Sequence, residues 1–270
     1  MEKEFKLTNE NYYSLETDKN YMSVHQYFEF MGTMGYSGCE ARAMAKLNGE
    51  YKEETAIALL VGSYVDSYFE GTLDQFKEEH PDCFTLKGEL KAPYRQAEKM
   101  IARCEADEYF MKFMSGEKQT IFTGELFGAD WKCKVDSYIP GTAIVDLKTS
   151  ADIHKAWRVA DYGYASFVEY WGYITQLAVY QKLVDINTGE KLPCYIAVVT
   201  KEDSPEIEVI HIDQQSLDDA LEEVKQNMPN VLAVKNGEVE PTSCNKCDFC
   251  KAKKKLMKPI NYRDLINTEI

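Results

Sequence analysis

Residues 135–150, VDSYIPGTAIVDLKTS, constrain this chain more than any other stretch. Branched and aromatic residues run on both sides of Pro140-Gly141, so residues 131–138 and 143–149 are predicted to be two strands joined by a tight turn. Side chains alternate along a strand, which puts Ile144, Asp146 and Lys148 on one face and Val145, Leu147 and Thr149 on the other. Lys132, Lys134 and Asp136 likewise share a face. A register centred on Gly141 sets Asp136 directly opposite Asp146; it needs a loop with an odd number of residues, and a two-residue Pro-Gly turn would break it.

Two carboxylates facing each other across a sheet repel, so the pair is a poor choice for stability alone. A divalent cation reverses the sign. Mg²⁺ takes one or two carboxylates and keeps waters, and a lysine two residues from one of them can orient such a water or help deprotonate it. By itself a D-x-K tripeptide is more often a pair of solvated charges, so the rest of the chain has to decide.

Residues 1–20 are polar and irregular, and two short helices follow Ser23, broken around Gly35-Tyr36-Ser37-Gly38. Residues 53–71 read as a helix with Ala56, Leu59, Leu60 and Tyr64 at core spacing. Within it Gly62, Asp66 and Glu70 recur every four residues and line one face, which could equally be a solvated acidic stripe. Residues 89–116 carry an amphipathic helical pattern with breaks, and residues 118–128 a first strand on which Glu125 is a further acidic candidate. Residues 167–185 read as a second long helix, with Tyr173, Gln176 and Tyr180 on one face and Ile174, Leu177 and Ala178 on the opposite one. Strands at 193–201 and 206–212 and a closing helix at 214–234, broken near Pro229, complete the pattern. His211 reads as a sheet residue, and His25, His80 and His154 show no ligand spacing.

An Asp ten residues ahead of D-x-K, the apolar strand AIV leading into it, Gly62-x-x-x-Asp66-x-x-x-Glu70, and Gln176-x-x-x-Tyr180 after the hairpin together resemble the PD-(D/E)xK nuclease superfamily. The resemblance is to the branch of RecB-type nuclease domains and phage RecE-type exonucleases. It implies a restriction-endonuclease-like α/β core, a mixed central sheet flanked by helices, with additional N-terminal helices. It implies DNA hydrolysis with Mg²⁺ or Mn²⁺, in which Asp136, Asp146 and Lys148 form the catalytic core and both aspartates bind metal. Gln176 and Tyr180 would place the scissile phosphate. Asp66 stands where the family carries a metal-reaching His, and an aspartate is still an acceptable hard ligand. Cys133 stands where a Gly often precedes the first Asp. Residues 150–166 would pass near the bound strand, with Trp157 to stack on a base and Arg158 to meet a phosphate. Packing for Trp and plain surface for Arg are the commoner uses of each.

The chain has eight cysteines, and no secretory leader pattern opens it, so a cytoplasmic, reducing setting without membrane association is expected and a disulfide framework is not. Cys244-x-x-Cys247-x-x-Cys250 is a metal-ligand spacing that lacks a fourth ligand. Some relatives of the RecB type hold a 4Fe-4S cluster with one cysteine before the first helix and three near the C-terminus, which implies Cys39 as the partner; structural Zn²⁺ on the same ligands is the alternative. The expected division is a nuclease-like domain over 1–235 and a cysteine-rich appendage over 236–270 that packs back on the N-terminal region.

The net charge of −14 argues against extended electrostatic grip on DNA, since phosphate contacts are made by Lys and Arg. A local basic wall or a partner must supply it, and Lys251, Lys253, Lys254, Lys255 and Lys258 form the one strongly basic segment. The resemblance implies a phage- or prophage-type exonuclease of recombination or repair, working beside a single-strand annealing recombinase and able to form homo-oligomers. The rival reading is a catalytically silent nucleic-acid-binding or assembly protein that kept the fold.

Overall fold

The computed structural model describes residues 5–53, 56–256 and 258–265. The chain opens with helices α1 (Leu15–Asn20) and α2 (Val24–Met31), a small hairpin of β1 (Gly32–Thr33) and β2 (Tyr36–Ser37), and α3 (Glu40–Leu47). Then come α4 (Ile57–Glu70), α5 (Leu73–Glu79), α6 (Gln96–Glu105) and α7 (Glu108–Phe113). Strands β3 (Thr120–Leu126), β4 (Ala129–Val135), β5 (Ser137–Ile139) and β6 (Ala143–Ser150) follow, then a hairpin of β7 (Trp157–Val159) and β8 (Gly163–Ala165). Helices α8 (Phe167–Tyr170) and α9 (Tyr173–Thr188), strands β9 (Cys194–Thr200) and β10 (Ile207–Ile212), and helices α10 (Gln214–Lys235) and α11 (Asp248–Lys253) close the chain.

The central sheet has the order β10-β9-β6-β5, with β6 parallel to β9 and the other pairs antiparallel. Both faces of β6 are covered, as a strand beside a parallel neighbour requires. Ile144 packs in the cluster that contains Leu177 and Val184 of α9, while Val145 and Leu147 join Val61 and Val65 of α4 and Met100 of α6. This is the mixed, helix-flanked sheet expected from the sequence. No helix among the described residues is long and apolar enough to cross a membrane.

The β5–β6 register pairs Ile139 with Ala143, Tyr138 with Ile144 and Ser137 with Val145. It is centred on Gly141, whose φ of +66° gives the left-handed residue of the odd-length loop. Carried one step outward this register would set Asp136 opposite Asp146, but the ladder ends at Ser137 and Val145. The strand expected over 131–138 is not continuous: it breaks at Asp136, and β4 pairs instead with β3 in a separate two-stranded ladder.

Three further departures have local causes. The helix expected over 53–71 begins at Ile57, residues 54 and 55 lie outside the described residues, and its core face is Val61, Tyr64 and Val65, with Leu59 62% exposed. The helix expected over 167–185 is split at Gly172, at φ +74°, where a Cβ would stand 2.8 Å from the Phe28 ring. Helix α10 runs unbroken through Pro229, because Val224, Met228, Val231 and Val234 bury one stripe on both sides of it and packing outweighs one missing N–H bond. The segment after α10 returns to α3, where Thr242 accepts from Ala41 N and donates its N–H to Glu40 Oε2 over 2.8 Å.

Candidate active site

Asp146 lies in the middle of β6 with 2% of its surface exposed. Burying a carboxylate is costly unless its oxygens are satisfied. One is: Gln176 Nε2 of α9 donates to Asp146 Oδ1 over 2.8 Å, and the same nitrogen lies 3.1 Å from Tyr180 OH one helical turn on. The other, Oδ2, stands 2.6 Å from Lys148 Nζ as an ion pair, yet it is a buried oxygen that receives no well-directed hydrogen bond. Lys148 is held over the Tyr173 ring, 4.8 Å from its centroid. Burial opposes the Lys148 charge, but Asp146, Tyr173 and Asp136 outweigh it and raise the pKa above the ordinary lysine range.

Asp136 occupies the strand break. Its Oδ2 accepts from the backbone N–H of Leu147 at 2.8 Å, and its Oδ1 accepts from Gln119 Nε2 at 3.3 Å. Gln119 has φ +52°, a left-handed residue just ahead of β3 that turns its amide inward. Burial pushes the Asp136 carboxyl up to about 7, with the negative charge of Asp146 second; Lys148 and the Leu147 N–H pull the other way. Across from it, Asp66 of α4 is also raised well above the carboxylate range, by burial first and then by Asp136.

Helix α4 reaches the site because Gly62 lies against β6: a Cβ there would stand 2.9 Å from Thr149 Oγ1. The next residues on that face, Asp66 and Glu70, share a small void with Asp136 and Leu147. Outside it opens a cleft of about 900 Å³ lined by Asp66, Glu70, Gln119 and Lys134, among others. Lys132 does not line the site. It is 2% exposed and anchors the N-terminal segment through Asp18 Oδ1 at 2.7 Å and the Tyr12 carbonyl.

This donor set fits a hard divalent cation. It offers acidic groups that depress one another's ionisation, a buried carboxylate oxygen without a directed donor, and an open cleft beside them. The carboxylates do not form a closed cage: among the described residues only the four cysteines bring three or more ligand atoms within 4.8 Å of one another. Mg²⁺ needs no cage, since one or two carboxylates and its own waters suffice.

Several residues lie elsewhere than expected. Gln176 and Tyr180 are 4% and 7% exposed, and the Gln176 amide nitrogen is shared between Asp146 and Tyr180. Periodicity gave their common face but not what lay against it. Trp157 is stacked on Tyr170 at 4.2 Å with Lys155 Nζ 3.7 Å from its ring centroid, so both its faces are taken; Arg158 is exposed. Glu125 is exposed at the far end of β3, next to the β3–β4 turn. Two residues enter unannounced. Gln119 carries no motif, and His25 on α2 comes within electrostatic reach of Lys148 and Asp146.

At the N-terminus of α3, Cys39 Sγ is 3.5 Å from Cys250 Sγ, and Cys244 Sγ is 3.9 Å from Cys250 Sγ. Cys247 completes the group. Burial works against a thiolate on Cys244, but the backbone N–H groups of Cys247 and Lys246 outweigh it and bring the thiol down to about 6.

Residues 23–253 match a family described as a PDDEXK-like domain of unknown function. The crystal structure of a protein from Eubacterium rectale named "putative exonuclease" superposes with a TM-score of 0.95 at 58% identity, covering 99% of this chain and 100% of that one. A second crystal structure, of SSO0001, aligns at 15% identity over 71% of this chain and 84% of its own, with a TM-score of only 0.27. No curated protein matches the chain. The hairpin, the D-x-K strand and the helix that backs it therefore lie within a matched region that spans most of the sequence, and the chain belongs to the PDDEXK-like family of the PD-(D/E)xK nuclease superfamily.

Proposed function

We propose that this nuclease-family chain is a metal-dependent deoxyribonuclease, an exonuclease of the phage or prophage type that hydrolyses DNA phosphodiester bonds. The observation that carries the reading is Asp146: buried, held from behind by Gln176, and presenting its second oxygen beside Lys148 with no directed donor. Asp136 and Asp146 would hold one or two Mg²⁺ or Mn²⁺, with Asp66 assisting, and the ion supplies Lewis-acid stabilisation of phosphoryl oxygens and a more acidic water.

The chain's own residues do the rest. Lys148 keeps its proton and offers an ammonium that orients the attacking water and counters the charge that grows on the phosphorus oxygens. Gln176, braced by Tyr180, fixes which way the Asp146 carboxylate faces, a positioning role in place of the phosphate contact expected from the motif. The Leu147 N–H and Gln119 do the same for Asp136. Lys134, half-buried beside the Tyr13 ring at 4.5 Å, gives the cleft a basic wall in an otherwise acidic chain. Resemblance to recombination exonucleases extends the proposal to work beside a single-strand annealing recombinase, as a homo-oligomer.

The test is degradation of linear DNA with Mg²⁺ or Mn²⁺. Wild type should release nucleotides and Lys148→Ala should not; equal activity in the two removes the proposed site. A wild type that binds DNA without cutting it and takes up no divalent cation would select the silent binding protein instead.

A further inference from the structure

We propose that Cys39, Cys244, Cys247 and Cys250 hold a single zinc ion, and not the 4Fe-4S cluster that the family resemblance implies. The distances decide between the two. Four thiolates at about 2.3 Å from one tetrahedral ion stand about 3.8 Å apart. The sulfurs here lie 3.5 Å apart for Cys39 and Cys250 and 3.9 Å apart for Cys244 and Cys250, and all four fall within 4.8 Å of one another. In a four-iron cube each thiolate caps a different iron at its own corner, so the cube and its bridging sulfides must fit between the four sulfurs. A group this tight has no room for that.

The surrounding chain supports a closed, preorganised site. The Cys244-x-x-Cys247 turn passes through Asn245 at φ +58°, a conformation Asn tolerates, and it aims the N–H groups of Lys246 and Cys247 at Cys244 Sγ at 3.4 and 3.3 Å. Such bonds orient a thiolate ligand and share its charge. Cys39 is fixed from the opposite side: its N–H donates to the Glu29 carbonyl at 2.8 Å, and its own carbonyl accepts from Ala43 at 2.9 Å as α3 begins. Cys39 and Cys250 pack with Phe249 and Ala45, so the ligand shell is partly dry. With four cysteines as donors and the group closed, no position is left open for substrate, which makes the ion structural.

The ion joins the C-terminal segment to α2 and α3. Glu29 of α2 also takes Arg42 Nε at 3.2 Å and Lys46 Nζ at 2.7 Å, so the helix that carries His25 to the edge of the active site is braced by the same assembly. Zinc therefore stabilises one wall of the site from a distance, and no step of the chemistry passes through it.

The full chain, expressed with both iron and zinc supplied and purified without oxygen, should contain about one zinc per chain, set by the one four-cysteine group. X-ray absorption at the zinc edge should give one sulfur shell near 2.3 Å with no metal–metal scattering. Exchange with Co²⁺ should give the thiolate charge-transfer bands of a tetrahedral site, lost in Cys247→Ser. Should that variant fail to fold, the metal content and absorption edge of wild type still decide. Iron in the preparation, whether one per chain or four with inorganic sulfide, overturns the proposal, as does a metal-free protein that takes up no Co²⁺.

Discussion

Gln176 of α9 donates to Asp146 of β6 across 2.8 Å, joining two residues thirty positions apart inside the core. With Oδ2 beside Lys148, the amide supplies the hydrogen bond to the remaining oxygen, Oδ1. Replacing Gln176 by Ala leaves that oxygen buried without its donor, at a cost of about 1–3 kcal/mol in stability. Activity or metal affinity should fall about 10–100-fold, as for other groups that orient a ligand. Mn²⁺ titration and steady-state nuclease rates on the same preparation check both parts.

Lys148 is the charge partner of Asp146 at 2.6 Å. Lys148→Ala should lower kcat by about 10²–10³-fold, the usual effect of deleting one preorganised stabilising charge. DNA affinity in the presence of Ca²⁺ should change little, because a single half-buried amine adds little to the phosphate contacts. Rate and binding assays run side by side separate the two.

Asp136 has its folded-state pKa raised from 3.8 to about 7, by burial first and then by Asp146. A raised acid favours its protonated form in the fold, so this contribution to stability is fully present below the unfolded value and is lost as pH rises through about 7. Without divalent cation, wild type should lose melting temperature relative to Asp136→Asn as pH rises through this window. Mg²⁺ should recover it more at about pH 8 than at about pH 5, because cation and proton compete for the same oxygens. Scanning calorimetry with and without Mg²⁺ reads the difference.

Asp66 is raised in the same direction, by burial and then by Asp136. Asp66→Asn should therefore raise the melting temperature of the metal-free protein above neutral pH, while weakening Mn²⁺ binding by removing a nearby charge. A variant that lowers both stability and metal affinity would instead give Asp66 an essential structural bond.

Gly62 and Thr149 set how closely α4 approaches the sheet, with 2.9 Å between a built Cβ and Thr149 Oγ1. Gly62→Val should cost about 1–3 kcal/mol through overpacking. The cost should shrink in a Thr149→Ala background, since the two positions touch. A double-mutant cycle by denaturant unfolding measures that coupling.

Much of this arrangement was legible in the sequence. The alternation around Pro140-Gly141 gave the hairpin register, because one face of a strand admits few alternatives once the turn is placed. The break at Asp136 was not legible, since it arises from β4 leaving the central sheet for β3, a tertiary choice. Gln176 and Tyr180 were found by motif and spacing, but the bond from Gln176 to Asp146 was not, because helical phase tells which residues point together and not what they meet. Gln119 and His25 carried no local signal; only the folded chain brings them to the site. The four cysteines come together as their spacing and the resemblance implied, but spacing alone does not separate a one-ion site from a four-iron one, and the zinc proposal rests on the sulfur distances.

The most direct test of the central claim is a structure of the protein with Mn²⁺ and a short DNA duplex, using anomalous scattering to place the ion. The account predicts a peak bonded to carboxylate oxygens of Asp136 and Asp146 at about 2.0–2.3 Å, with Lys148 Nζ beside the phosphate it contacts. DNA cleaved in the presence of Mn²⁺ by a protein whose ion lies away from both aspartates would contradict it.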